Sequence, residues 1–532
     1  MMQRPVTWPV LLLLWLLALL VGIGTRPLVP LDELRYTAVA WEMWQRGEFL
    51  VPYLNGEPYS HKPPLFFWLI HAGWWLLGVN EWSARLLAPL LTLLSLYATA
   101  RLAARLWPDD AVTPRLTPPV LFASVFLVAF FTWLQIDMLL VLLTVLAMHG
   151  VVQAAQGSPR GWLLAGTALG LGILAKGPIS LLHVLPPALL APAWLSGMPA
   201  GGWRRWYAGV LAAVALAAVI ALAWALPAAA AGGADYSRAI LWGQTAGRVV
   251  GSFAHAHPVW WYLPWLLVLF APWILLPWLW SAARAAWSGQ DRGMRFCMTW
   301  LVTVLVLLSL VSGKQIKYLL PLLPAFALLI ARVLAGMEGQ PVRQRPWLLA
   351  VILALLGVVG VLAPLRLEQA AWLNEVHPVW GLGLLAGAVI LLLLRPQMPQ
   401  QYPQRMALLS VMAVCIGELG VLRVGAPFYD VQAASRLVAR AQADGQVVAV
   451  AFRYHGEFTF HGRLRQPVEQ LKPGEEQAWA VRHPEDYLVL TGRDLPADYP
   501  RAIYNQPWRS GRMVIVRGDV LIPYNGAPRV PE

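Results

Sequence analysis

Residues Leu31 to Pro64, "LDELRYTAVAWEMWQRGEFLVPYLNGEPYSHKPP", are dense in ionisable side chains and follow directly on an apolar run, Trp8 to Gly22. Apolar runs of this kind recur to about residue 424, for example Ile352 to Leu362. The chain of 532 residues is 58% hydrophobic and 13% charged, with 29 Trp and a mean hydropathy of +0.58. A soluble fold of this length has no way to bury so much apolar surface, so the reading is a polytopic α-helical membrane protein. The runs are continuous rather than alternating, which argues against a β-barrel. The opening polar stretch is then the first loop on one membrane face.

The net charge is +13, yet the arginines fall in short clusters between spans, where they act as topology signals rather than as a nucleic-acid surface. The two cysteines, Cys297 and Cys415, sit inside apolar runs and imply neither a disulfide framework nor a Cys-based metal site. The N-terminus lacks a small-residue cleavage site and reads as an uncleaved first span.

About fourteen apolar segments can be counted, but Leu65 to Val79 is only about fifteen residues long, short of the ~20 a spanning helix requires. Laid along the interface instead, where Phe66, Phe67, Trp68, Trp74 and Trp75 suit the headgroup level, it leaves thirteen spans. Arg4, Arg101, Arg105, Arg115, Arg160, Arg204, Arg205, Arg284, Arg292, Arg295, Arg343, Arg345, Arg395 and Arg405 then all fall on the cytoplasmic side. The external face receives the Leu31–Pro64 loop, the loop around Asp137, the Lys176-Gly177-Pro178 turn, residues 229–258, the Ser312–Tyr318 turn and everything after about Gly425. The expected domains are a membrane domain over 1–424 (with 31–80 as its first external loop) and a soluble α/β domain over 425–532. In the latter, "VVAVAF", "EFTFHG", "DYLVLTG" and "MVIVRG" read as short strands, and "YDVQAASRLVARAQADG" as a helix with a Gly stop.

The ionisable residues that topology does not explain therefore share one face. Asp32, with Glu33 beside it, can cap a helix starting near Glu33, or can stand as a carboxylate able to take a proton or orient a nucleophile. Lys62, stiffened by Pro63-Pro64, is either a snorkelling anchor or a point charge for a lipid phosphate, and His61 next to it offers a donor or a metal ligand. Asp137 interrupts "FTWLQIDMLLVLL", where an ionisable group is costly; it marks either a tight turn or a functional carboxylate. Residues 234–264 contain Arg248 among glycines, suited to phosphate, and His255 and His257 two residues apart, a weak metal pattern without a third ligand. Lys314, Lys317 and Tyr318 lie in a turn on a face that should be poor in positive charge, which an anionic ligand would explain; Lys176 in "LAKGP" raises the same question.

In order along the chain, "DELRY", "LNGEPYSHKPPLFFW", "IDMLL", "LAKGP", "HPVWWYLP" and "SGKQIKYLLPLLPAFALL" resemble the GT-C glycosyltransferase superfamily. Within it they are similar to bacterial lipid A aminoarabinose transferases and protein-mannosyltransferase-like enzymes, over roughly residues 1 to 340. The resemblance implies an inverting transfer of a sugar from a polyprenyl (undecaprenyl) phosphate to lipid A or another envelope acceptor, by a monomer in the bacterial inner membrane whose site and C-terminal domain face the periplasm. It casts Asp32 as the catalytic carboxylate with Glu33 and Asp137 as further candidates, and Lys62, Arg248, Lys314, Lys317 and Tyr318 at the donor phosphate. His61, His255, His257 and Lys176 remain as substrate or metal contacts. Relatives carry Glu before the Lys-Pro where this chain has Ser60-His61, so a divalent metal is an open question. The competing reading is a transporter or lipid flippase, which would favour mid-membrane charges and internal repeats; a non-enzymatic surface receptor ranks last.

Overall fold

The structure is a computed structural model and describes residues 8–243, 256–287, 291–337, 339–342, 344–362, 371–393 and 398–521. Arg248 and His255 lie outside the described residues.

The first helix, α1 (Trp8–Gly24), leads through 25–31 to α2 (Asp32–Arg46). A two-residue antiparallel hairpin of β1 (Tyr53–Leu54) and β2 (Glu57–Pro58) follows, then α3 (Leu65–Leu77) and α4 (Glu81–Leu106). At 13 residues α3 is about 20 Å long, well short of the ~30 Å hydrocarbon core. It packs on α2 instead: the His71 ring is 2.8 Å from the Ala40 carbonyl through Nε2. Trp75, Leu76 and Leu77 at its end stay exposed.

Six described helices are long and apolar enough to cross a membrane by length and composition, and shorter apolar helices lie between them. Counting Val112–Phe130 and Val259–Ala286 as one broken segment each, and leaving out α3, the described apolar helices form the thirteen expected segments. Their outward faces carry large apolar side chains, among them Leu13, Leu20, Leu211 and Leu393, as a lipid-facing belt requires. Ile316–Gly336 runs through the middle of the bundle.

Small residues set the closest helix approach. A Cβ on Gly150 would stand 2.5 Å from the Ala165 nitrogen and the Gly161 carbonyl oxygen, so Asp137–Ala155 and Arg160–Lys176 pack backbone to backbone. Antiparallel and joined by a four-residue turn, these helices bring the first residue of one, Asp137, level with the last of the next, Lys176.

After the last apolar helix, Gln432–Ala443 forms where expected, followed by a five-stranded mixed sheet in the order β4-β3-β5-β7-β6. Its strands are β3 (Val448–Val450), β4 (Glu469–Gln470), β5 (Tyr487–Gly492), β6 (Tyr504–Trp508) and β7 (Gly511–Arg517). One expected strand is corrected: "EFTFHG" contains a helical turn, Thr459–Gly462. Its alternation misleads because Phe458, Thr459 and Phe460 are all buried, whereas a half-exposed strand would bury every second residue.

The C-terminal domain is clamped onto the opening loop. Trp41 of α2 donates to the Leu464 carbonyl at 2.8 Å, and Asn55 exchanges two 2.9 Å hydrogen bonds with the Val468 backbone. Trp74 of α3 stacks on Phe460 at 5.5 Å, and Arg463 lies over both Trp41 and Phe460.

Candidate functional site

Asp32 is the first helical residue of α2, and Leu31, not Asp32, holds the capping position, with no side-chain cap. The capping reading of Asp32 is therefore set aside. Its carboxylate instead accepts from Lys317 Nζ at 2.6 Å and from the Arg35 guanidinium one turn along. The Lys317 ammonium also reaches Gln135 Oε1 at 3.4 Å. Burial works to raise the Asp32 carboxyl, but Lys317, Arg35 and Lys62 together hold it well below the ordinary carboxylate range. The group is a permanent anion at neutral pH.

Immediately below lies a second pair. Asp137 and Lys176 are buried and form an ion pair, and the Lys176 ammonium sits 4.5 Å from the centre of the Tyr318 ring. Tyr318 follows Lys317 in sequence, so the turn that aims Lys317 at Asp32 also packs against Lys176. Desolvated charges are tolerated here only because each has a partner of opposite sign. Two carboxylates, two ammonium groups and a tyrosine thus meet where four separate chain segments converge.

The other candidates divide. Lys62 is close enough to Asp32 for its charge to act on that carboxylate, and the His61 ring is 5.2 Å from the ring of Tyr59. Glu33 points the other way: one oxygen accepts from Arg26 at 2.6 Å and from the Val29 amide, the other from the Leu134 amide at 2.7 Å. Those bonds tie α2 to the preceding segment and to the approach to Asp137. Lys314 donates to the carbonyls of His257 and Val311 at 2.9 and 2.5 Å, which spends its ammonium on holding two segments together. His257 stacks on Trp261 at 4.3 Å. Arg35 and Gln135 were not singled out from the sequence; Arg35, one helical turn from Asp32, was the more readable of the two.

Among the described residues no three His, Cys, Asp or Glu side chains come together as a metal-binding group. The carboxylates of Asp32 and Asp137 are each paired with an ammonium or guanidinium.

Residues 61–229 match the family model described as dolichyl-phosphate-mannose-protein mannosyltransferase. The chain is 34% identical to the undecaprenyl phosphate-alpha-4-amino-4-deoxy-L-arabinose arabinosyl transferase of Pseudomonas aeruginosa (strain UCBPP-PA14), over 73% of this chain and 70% of that protein. It is 31% identical to the protein of the same description from Edwardsiella ictaluri, over 71% and 68%. The fold is shared with the crystal structure of ArnT from Cupriavidus metallidurans bound to undecaprenyl phosphate, with a TM-score of 0.73 at 20% identity, over 96% of this chain and 98% of that one. The apo structure of the same protein superposes with a TM-score of 0.72.

Proposed function

We propose what this chain transfers, and to what, from one premise: it belongs to the family of undecaprenyl phosphate-alpha-4-amino-4-deoxy-L-arabinose arabinosyl transferases. On that premise the chain is a glycosyltransferase of GT-C architecture that takes a sugar from undecaprenyl phosphate. We assign the sugar as 4-amino-4-deoxy-L-arabinose or a close pentose, and the acceptor as lipid A. We further assign the site and the C-terminal domain, residues 425–532, to the periplasmic face of the inner membrane, and the working unit as a monomer.

The observation that carries the mechanism is the 2.6 Å contact between Lys317 and Asp32. In the transfer, the bond between the anomeric carbon and the lipid phosphate oxygen breaks as the acceptor oxygen bonds to the opposite face of that carbon. The leaving phosphate gains negative charge, so ammonium groups already in place lower the barrier. Lys317, Lys62 and Lys176 are within electrostatic reach of Asp32; Arg248 belongs to the same proposal.

Asp32 cannot be a strong base while three cations hold its carboxyl low. That state favours an acceptor needing no deprotonation, such as the phosphate of lipid A. Asp32 then holds Lys317 in line and stabilises the developing positive charge on the sugar ring. A hydroxyl acceptor would instead require Asp32 to take its proton.

The test is to incubate the purified protein with lipid A and a panel of undecaprenyl-phosphate sugars. Transfer of aminoarabinose in preference to hexoses supports the assignment. Transfer of none of them by well-folded protein overturns it.

A further inference from the structure

The acceptor must also be guided towards Asp32. The C-terminal domain sends one turn to that place. Gly456, at φ +87°, presses on α2: a Cβ there would stand 2.5 Å from the Ala38 Cβ, one turn beyond Arg35. Its neighbour His455 consequently lies within electrostatic reach of Arg35 and Asp32 as well as of Arg453 and Arg509. The buried Glu457 carboxylate secures the turn by accepting from the His455 amide at 2.7 Å.

Arg509 arrives from the β6–β7 hairpin. Its amide donates to the Phe428 carbonyl at 2.9 Å, and Phe428 ends the short helical segment that follows the last apolar helix. That bond places Arg509 at the level where the chain leaves the bundle. Its guanidinium is 41% exposed and 3.9 Å from Glu457, too far for a hydrogen bond, so its donors remain available to a second anion. Arg453 is exposed on the same turn as His455. Burial, with Arg35, Arg453 and Arg509 beside it, pushes the His455 imidazole down to about 4. Burial first, and the neighbouring arginines with it, keep that ring neutral, and an arriving anion would offset the arginine charge.

We propose that Arg453, His455 and Arg509 form a subsite of the C-terminal domain that holds an anionic phosphate group of the acceptor lipid beside Asp32. The inference rests on the transferase reading above and adds the acceptor wall to it. The two arginines offer forked donors matched to phosphate oxygens, and the neutral imidazole adds a further hydrogen bond. Arg509, at the boundary of the bundle, meets a headgroup whose acyl chains stay in the bilayer.

The experiment uses full-length protein in nanodiscs of zwitterionic lipid, with bisphosphorylated lipid A as the probe. Binding is measured without donor, and steady-state transfer with it. In Arg453→Ala and Arg509→Ala the dissociation constant and KM for lipid A rise about tenfold each, one charge-assisted contact apiece, while KM for the undecaprenyl-phosphate donor stays put. Arg453→Lys and Arg509→Lys recover part of the loss. Unchanged lipid A affinity, or an equal rise in donor KM, overturns the subsite. So does a defect seen only as weaker binding to phosphatidylglycerol vesicles, which would assign these arginines to the bilayer surface. Wild-type protein that binds lipid A through these residues yet transfers no sugar overturns the transferase reading and leaves the subsite standing.

Discussion

Lys317 and Asp32 are 285 residues apart in the chain, and their side chains meet at 2.6 Å. The contact joins the central Ile316–Gly336 segment to the first helix after α1. It places a carboxylate held low by its surrounding cations against a cation that a substrate phosphate can also use. Asp32→Asn keeps the shape and removes the charge. Transfer should fall on the order of 10³-fold while the protein still inserts in the membrane, with a loss of thermal stability because Lys317 and Arg35 lose their anionic partner. Lys317→Met should lose roughly 10²-fold in kcat. Turnover of labelled donor by the purified variants decides both, and wild-type turnover by Asp32→Asn would remove Asp32 from the mechanism.

The Asp137–Lys176 pair is buried and bears on stability as much as on catalysis. Lys176→Met strands the Asp137 charge, at a cost of about 3–5 kcal/mol. The double variant Asp137→Asn with Lys176→Met removes both charges and should recover much of that loss without restoring transfer. Thermal unfolding in detergent measures the first effect and the transfer assay the second. If the double variant is no more stable than Lys176→Met, the pair does not carry the stability assigned to it.

Much of this site was legible because charge is costly in an apolar chain. Asp32, Lys62, Asp137, Lys176 and Lys317 stood out for having no topological reason to be where they are. What the sequence could not disclose was which charge meets which. Asp32 and Glu33 are adjacent and chemically alike, but successive helical residues point about 100° apart. One therefore faces Lys317 and the other Arg26. Lys314 and Lys317 are likewise separated by their surroundings, the first absorbed by two carbonyls. In the C-terminal domain, β5 and β7 were readable as apolar runs. β6, "YNQPW", was not, being polar and carrying Pro507, which the sheet tolerates because β6 is an edge strand.

The pH response follows from the held-down Asp32 carboxyl. A carboxyl whose folded pKa lies below its unfolded value contributes stability above the unfolded value and loses it as pH falls towards the folded one. The Asp32 contribution is thus fully present at pH 7 and is lost only below the ordinary carboxylate range of about 4. Transfer by the wild type should show no acid limb from Asp32 between pH 7 and 5. In Lys317→Met, burial is opposed by fewer cations, so the carboxyl rises and residual transfer should begin to fall at higher pH than in the wild type. Overlapping pH–rate profiles for the two proteins would show that Lys317 does not set the Asp32 charge.

The clamp between the C-terminal domain and α2 can be opened at one position. Gly456 has φ +87°, which side chains with a Cβ seldom adopt, and any Cβ there runs into Ala38 and Leu54. Gly456→Val should cost about 1–3 kcal/mol through strain and overpacking, and most of that cost falls on the contact between domain and helix. Gly474 is the control: it also has positive φ (+90°) but nothing within 4 Å, so Gly474→Ala strains the backbone without touching α2. Limited proteolysis of the intact protein should release the C-terminal domain faster in Gly456→Val than in Gly474→Ala. Lipid A transfer should drop in the former alone, because the turn bearing Arg453 and His455 moves with Gly456. Equal proteolysis and equal activity in the two variants would mean that the domain stays seated without the Gly456 contact.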